Sequence, residues 1–216
     1  MVTFLLVCGA VGGPLFVVAF LAEGFTRAGY DQLRQPVSAL ALGKSGWTQK
    51  ANFIVTGLLM LAFGVGLWID LRQYGVAPAV SVLVGSYALG LIGAGIFVTD
   101  PVGDYQPDGE VVSGPNLNGS LHTAFSMLVF IALPAAYFVL AGGKVARGSI
   151  GWAVYSAATG VLFVAGFVFT SIGFFQATQS QPHRQLAAGA GLLQRITIAI
   201  GFGWLTLVAV HLLGGF

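Results

Sequence analysis

Charge and cysteine are what this sequence lacks. In 216 residues there are nine Lys or Arg and seven Asp or Glu, 7% in all, where a water-soluble domain carries about a quarter. A soluble catalytic domain is therefore excluded. The bases form no run and do not alternate with aromatics, so a net charge of +2 and a pI of 8.9 do not make a nucleic-acid surface. A single cysteine, Cys8, excludes an intrachain disulfide and a cysteine-rich metal site. What remains is 56% hydrophobic with a mean hydropathy of +0.88. That composition belongs to an integral membrane protein.

Crossing a hydrocarbon core of roughly 30 Å takes about 20 apolar residues as a helix. Six apolar segments meet that length, at about 3–22, 51–69, 78–99, 120–141, 150–173 and 192–213. None alternates as a barrel strand does, and backbone amides in lipid must be paired, so each reads as a helix. The expectation is an all-α, six-helix bundle forming a single membrane domain over 1–216. The first segment has no basic leader and meets Glu23-Gly24-Phe25 without a small-x-small cleavage pattern, so it reads as a retained helix. Pro14 and Pro134 fall inside the first and fourth segments and suggest bends. Ser86, Gly90 and Ala94, and Ala199 and Gly203, recur at four-residue spacing and suggest close helix seams. Trp47, Trp68 and Trp152 lie at segment ends, where interfacial anchors are expected.

With six spans, the long connections 23–50, 100–119 and 174–191 share one side of the membrane, and the short ones 70–77 and 142–149 share the other. Bases in short connections weigh most in setting orientation. Arg72, Lys144 and Arg147 occupy the short ones, which places both termini in the cytoplasm of a cell-membrane protein and the long connections outside. In the first long connection, Pro36 suits the first turn of a short helix. Val37, Leu40 and Leu42 give that helix an apolar side beside Ser38, as expected of an interfacial or re-entrant element between the first two spans.

Polar groups inside or beside the spans are costly, which marks them as candidates for function. Asp100 ends the third span and His122 begins the fourth, at nearly the same depth. Ser126 lies one turn beyond His122 on the same face; Asn52 and Thr56 repeat that spacing on the second span. Gln194 and Arg195 interrupt the apolar run of the sixth. Arg195 and Arg34 read either as snorkelling interfacial bases or as guanidinium groups that hold Asp100 or an anionic headgroup. A catalytic reading takes His122 as base with Asp100 orienting it, and Ser38 or Ser126 as nucleophile, but no nucleophile-elbow motif supports it. A zinc site from His122, Asp100 and His183 lacks metal-ligand spacing. His211 lies near the far end of the sixth segment, apart from both groupings. In "TDPVGDYQPDGE", residues 99–110, the acids fall at intervals of four, four and two, which an EF-hand loop does not allow. Asp104, Asp108 and Glu110 read as a solvated connector, and no metal or cofactor is expected.

The segments "YDQLRQPVSALALGKSGWTQKANFIVTGLL", "GAGIFVTDPVGDYQP", "GSLHTAFSMLVF" and "GLLQRITIAIGFGWL" resemble, in that order, the bacterial and archaeal six-helix membrane proteins grouped as domain-of-unknown-function family nine-nine-eight. The resemblance implies the six-helix architecture and draws attention to Arg34, Ser38, Asn52, Asp100, Pro101, His122, Gln194 and Arg195. Members of that family commonly carry His before Pro-Val-Ser, where this chain has Gln35; the difference weakens a zinc or acid–base role. "PVSALALG" and "ANF" bear a fainter likeness to eukaryotic six-helix proteins of the Frag1, DRAM and Sfk1 type, some of which act in lipid and GPI-anchor maturation, and so suggest lipid. The function expected is a polar pocket on the long-connection face, binding or modifying a lipid or other amphiphile. The alternatives are a small-molecule transporter and an accessory or structural subunit, with room for an oligomer or a larger membrane complex.

Overall fold

A computed structural model describes the chain except residues 73, 74, 76, 103, 104, 106, 108–115, 180–184, 215 and 216. Asp104, Asp108, Glu110 and His183 therefore lie outside the described residues. Six helices carry the fold: α1 (Val2–Thr26), α2 (Trp47–Leu71), α3 (Ala77–Ile96), α4 (Leu117–Val145), α5 (Ile150–Thr178) and α6 (Gln185–Leu213). All six are long and apolar enough to cross a membrane. The chain is thus a multi-pass membrane protein, and no strand occurs among the described residues.

Each helix packs on the next in sequence, and α6 returns to α1, which closes a ring of six. Every helix turns apolar side chains outward, among them Val11, Leu58, Leu89, Ile131, Val161 and Leu207. In water such a belt would be costly; against lipid tails it costs nothing. For the same reason burial of apolar area does not hold the ring together, and close packing and buried hydrogen bonds must. The packing is visible at Gly90, where an added Cβ would press on Val129 and the Phe125 carbonyl of α4. Gly203, by contrast, has open space beside it, so the small-residue spacing on α6 marks no seam at that position. At the ring centre Phe16 meets Phe202 at 4.9 Å and Phe53 at 5.3 Å between ring centroids, and Tyr137 meets Trp204 at 4.7 Å. The Trp204 indole donates to Ser156 Oγ at 3.0 Å.

The element expected between the first two spans is present as two 3-10 turns, Val37–Ala41 and Lys44–Gly46. Pro36, lacking an N–H, precedes the first turn in extended conformation, as its fixed φ favours. Val37, Leu40 and Leu42 are buried, and the first turn packs on α1, α2 and α6. It closes the long-connection end of the ring rather than lying on its surface. At the other end Lys144 Nζ approaches His211 Nε2 at 3.3 Å, and the His211 ring lies 4.4 Å from Trp152. Trp47 and Trp68 are exposed at the two ends of α2, where interfacial anchors belong.

Candidate functional site

The two 3-10 turns are held by arginines. From the end of α1, Arg27 donates to the carbonyls of Leu40 (3.1 Å), Leu42 (3.3 Å) and Ser45 (2.9 Å) and pairs with Glu23. From α6, Arg195 Nη1 donates to the carbonyls of Gln32 (2.7 Å), Gln35 (3.0 Å) and Gly191 (2.9 Å). Its Nη2 reaches the Tyr30 hydroxyl, which in turn donates to the Pro36 carbonyl at 2.9 Å. Next to it, Gln194 Oε1 accepts the Val37 N–H at 2.8 Å. Gly191 makes the close approach possible, because a Cβ there would run into the Gln32 and Gln35 carbonyl oxygens. Arg195 is 5% exposed and forms no ion pair with Asp100. It clamps the connection to α6. Burial pushes the Tyr30 hydroxyl up to about 12 against the opposing pull of the Arg195 charge, so the phenol stays protonated and keeps donating.

Beneath that clamp lies a cavity of about 220 Å³. Its polar lining includes Ser38 on the 3-10 turn, His122 and Ser126 on α4, Thr170 on α5 and Gln194 on α6. Phenylalanines form much of the rest of the wall, including Phe16, Phe53, Phe130, Phe163, Phe167 and Phe202. Buried Phe16, Leu133 and Phe163 lie at one side, while exposed Thr123, Met127 and Ser171 also line it. The cavity therefore runs from the ring centre to the outer face between α4 and α5. At 1.5 Å per residue, its α4 wall from His122 to Leu133 spans about 8 to 24 Å from the start of that helix. Against a bilayer of roughly 40–45 Å with its headgroups, this depth runs from the top of the hydrocarbon core to about its midplane.

His122 is 4% exposed, and its Nδ1 lies 3.0 Å from the Ala94 carbonyl oxygen and 2.9 Å from that of Phe97. Both partners only accept, so Nδ1 carries the proton and Nε2 is the ring's accepting nitrogen. The contact explains why the third span stops early: the sequence suggests helix to about residue 99, but α3 ends at Ile96, and His122 takes up carbonyls that the helix end leaves unpaired. Asp100 is engaged elsewhere. Its Oδ1 accepts from Asn116 Nδ2 at 2.7 Å, and Asn116 caps α4 by accepting the Gly119 N–H at 3.2 Å. A carboxylate there faces the positive end of the α4 dipole. The imidazole is thus oriented by two carbonyls, and Asp100 and His122 do not hydrogen-bond to each other.

Of the residues singled out from sequence, Ser38, His122, Ser126 and Gln194 meet at the cavity, while Arg34, Asn52, Asp100 and Arg195 do not line it. Arg34 is exposed and pairs with Asp31 at 3.5 Å, a surface contact of small worth. Asn52 donates to the Phe16 carbonyl at 3.1 Å and ties α2 to α1. Among the described residues, no group of three His, Cys, Asp or Glu is placed to hold a metal ion. Thr170 is one of the polar lining residues that sequence reasoning missed, with Thr99, Thr123 and Ser171. Thr159 and Ser171 return their hydroxyls to the carbonyl four residues back, each at 2.8 Å, whereas Thr170 Oγ1 is buried without a hydrogen-bond partner among the described residues. A lone Thr in an apolar run gives no sign of this difference.

The family described as "Protein of unknown function (DUF998)" matches residues 10–211, and the chain belongs to it. No curated protein and no solved structure matches the chain significantly. Membership establishes the architecture's kin and brings no activity with it.

Proposed function

We propose that this member of a family of unknown function binds a membrane lipid or similar amphiphile, taken laterally from the bilayer into the cavity between α4 and α5. The observation that carries the reading is the cavity's two-part lining. Polar residues including Ser38, His122, Ser126, Thr170 and Gln194 share a wall with seven phenylalanines, and exposed Thr123, Met127 and Ser171 also line it. Ligand sites are mostly apolar with a few placed polar groups. A transport path would need polar groups continuing through the other half of the ring. There the buried centre is Tyr137, Leu140, Leu205 and Trp204, and the hydroxyls of Ser156 and Thr159 are taken up by the Trp204 indole and the Tyr155 carbonyl.

In this reading the host is the cell membrane, with both termini cytoplasmic and the cavity in the outer half. The basis is Arg72, Lys144 and Arg147 in the short connections. Native mass spectrometry of the protein released from its own membrane tests the binding claim. A co-purifying amphiphile is expected on the natural chain and lost on Ser126→Phe, whose ring would fill the cavity. Equal retention by both, or none by either, would contradict it.

A further inference from the structure

The cavity has polar groups but no charged ones. Among the described residues, no Asp, Glu, Lys or Arg lines it. Arg195 does not line it and directs both terminal nitrogens to carbonyls and Tyr30, with Nε alone lacking a partner among the described residues, and Arg27 is bound to Glu23 and three carbonyls. Asp100, held at the α4 N-terminus, would repel an approaching anion. A charged head in this site would lose its water and gain no counter-ion, which is a costly exchange.

Resting on the amphiphile reading of the same cavity, we infer that its ligand is uncharged, with a head carrying hydroxyl and carbonyl groups on an apolar tail. The polar lining matches such a head. Thr170 lines the cavity and is 4% exposed, and its Oγ1, closed off from solvent, has no partner among the described residues, so a rotation of the side chain would let it donate to a carbonyl. His122, with Nδ1 engaged, offers Nε2 as acceptor for a hydroxyl. Gln194 has its Oε1 on Val37, which leaves its amide nitrogen as a donor. The phenylalanine wall takes the tail. One of the alternatives the sequence left open was a headgroup anion held by Arg195 or Arg34, and neither of these lines the cavity.

The test compares dioleoylglycerol with dioleoylphosphatidic acid, which share tails and differ in the charged phosphate. Equilibrium binding of each labelled lipid to the detergent-solubilised protein should favour dioleoylglycerol by at least tenfold. Thr170→Val, equal in shape, should weaken dioleoylglycerol about three- to tenfold, the worth of one hydrogen bond, with its unfolding temperature unchanged. Equal or tighter binding of phosphatidic acid would overturn the inference of a neutral ligand while leaving an amphiphile site in place. Unaltered binding to Thr170→Val would remove the role given to that hydroxyl. Binding of neither lipid would take down the amphiphile reading itself.

Discussion

Arg195 on α6 and Tyr30, in the connection after α1, meet by a hydrogen bond from guanidinium to phenol, and Tyr30 passes the bond on to the Pro36 carbonyl. Two groups 165 positions apart in sequence thereby fix the 3-10 turn that brings Ser38 to the cavity. Arg195→Ala would remove the guanidinium from the part-buried carbonyls of Gln32 and Gln35, leaving the latter only the Tyr30 hydroxyl at 3.4 Å, and from the carbonyl of Gly191. We expect a loss of about 3–5 kcal/mol in unfolding free energy. Arg195→Lys should recover little of it, because an ammonium cannot reach carbonyls and phenol with one planar fork. Tyr30→Phe should cost less, about 1–2 kcal/mol. Thermal or denaturant unfolding in detergent ranks the three.

The same pair predicts an alkaline limit. With its hydroxyl pushed up to about 12 by burial, Tyr30 is protonated in both folded and unfolded chains below pH 10. Between pH 10 and 12 the unfolded phenol ionises first, so this contribution is full below pH 10 and lost as pH rises through about 12. Its size is about 2–3 kcal/mol. Tyr30→Phe cannot titrate, so the natural chain's stability advantage over it should be lost across that window and turn slightly negative near its upper end. A difference that stays constant from pH 9 to 12 would contradict the assignment.

For His122 the structure separates two roles. In His122→Asn the new side chain can place its amide nitrogen close to the position of Nδ1 and keep bonding the Ala94 and Phe97 carbonyls, but it has no group in place of Nε2. Stability within about 1 kcal/mol of the natural chain is expected, together with weaker ligand retention. His122→Ala leaves both carbonyls unpaired and should lose about 1–3 kcal/mol as well. Retention that falls only in step with stability would show that His122 merely caps α3.

Much of the architecture was legible because hydropathy reports what must sit in lipid. The starts of α3 and α5 fall within a residue of the apolar segments. The helix ends were less legible: α4 runs on to Val145, α5 to Thr178, and α6 begins at Gln185, each several residues past its apolar run. Helical hydrogen bonding continues into the interface, where composition no longer marks it. His122 and Ser126 were legible as a pair by their i, i+4 spacing, and Gln194 by interrupting an apolar run. The destination of Arg195 was not, since a carbonyl carries no signature in sequence and any connection could have supplied it. Thr170 was hidden for the opposite reason: nothing in its run distinguishes a hydroxyl bonded back to its own helix from one left without a partner.

The central claim, that an amphiphile occupies the space between α4 and α5, is tested most directly by photo-crosslinking from inside the ring. Leu133 and Leu140 share a face of α4, two turns apart, and are both buried, but Leu133 lines the cavity and Leu140 does not. A diazirine amino acid at each position, irradiated in native membranes and read by intact mass, should give a lipid adduct at Leu133 and none at Leu140. Adducts at neither position, or equally at both, would contradict the account.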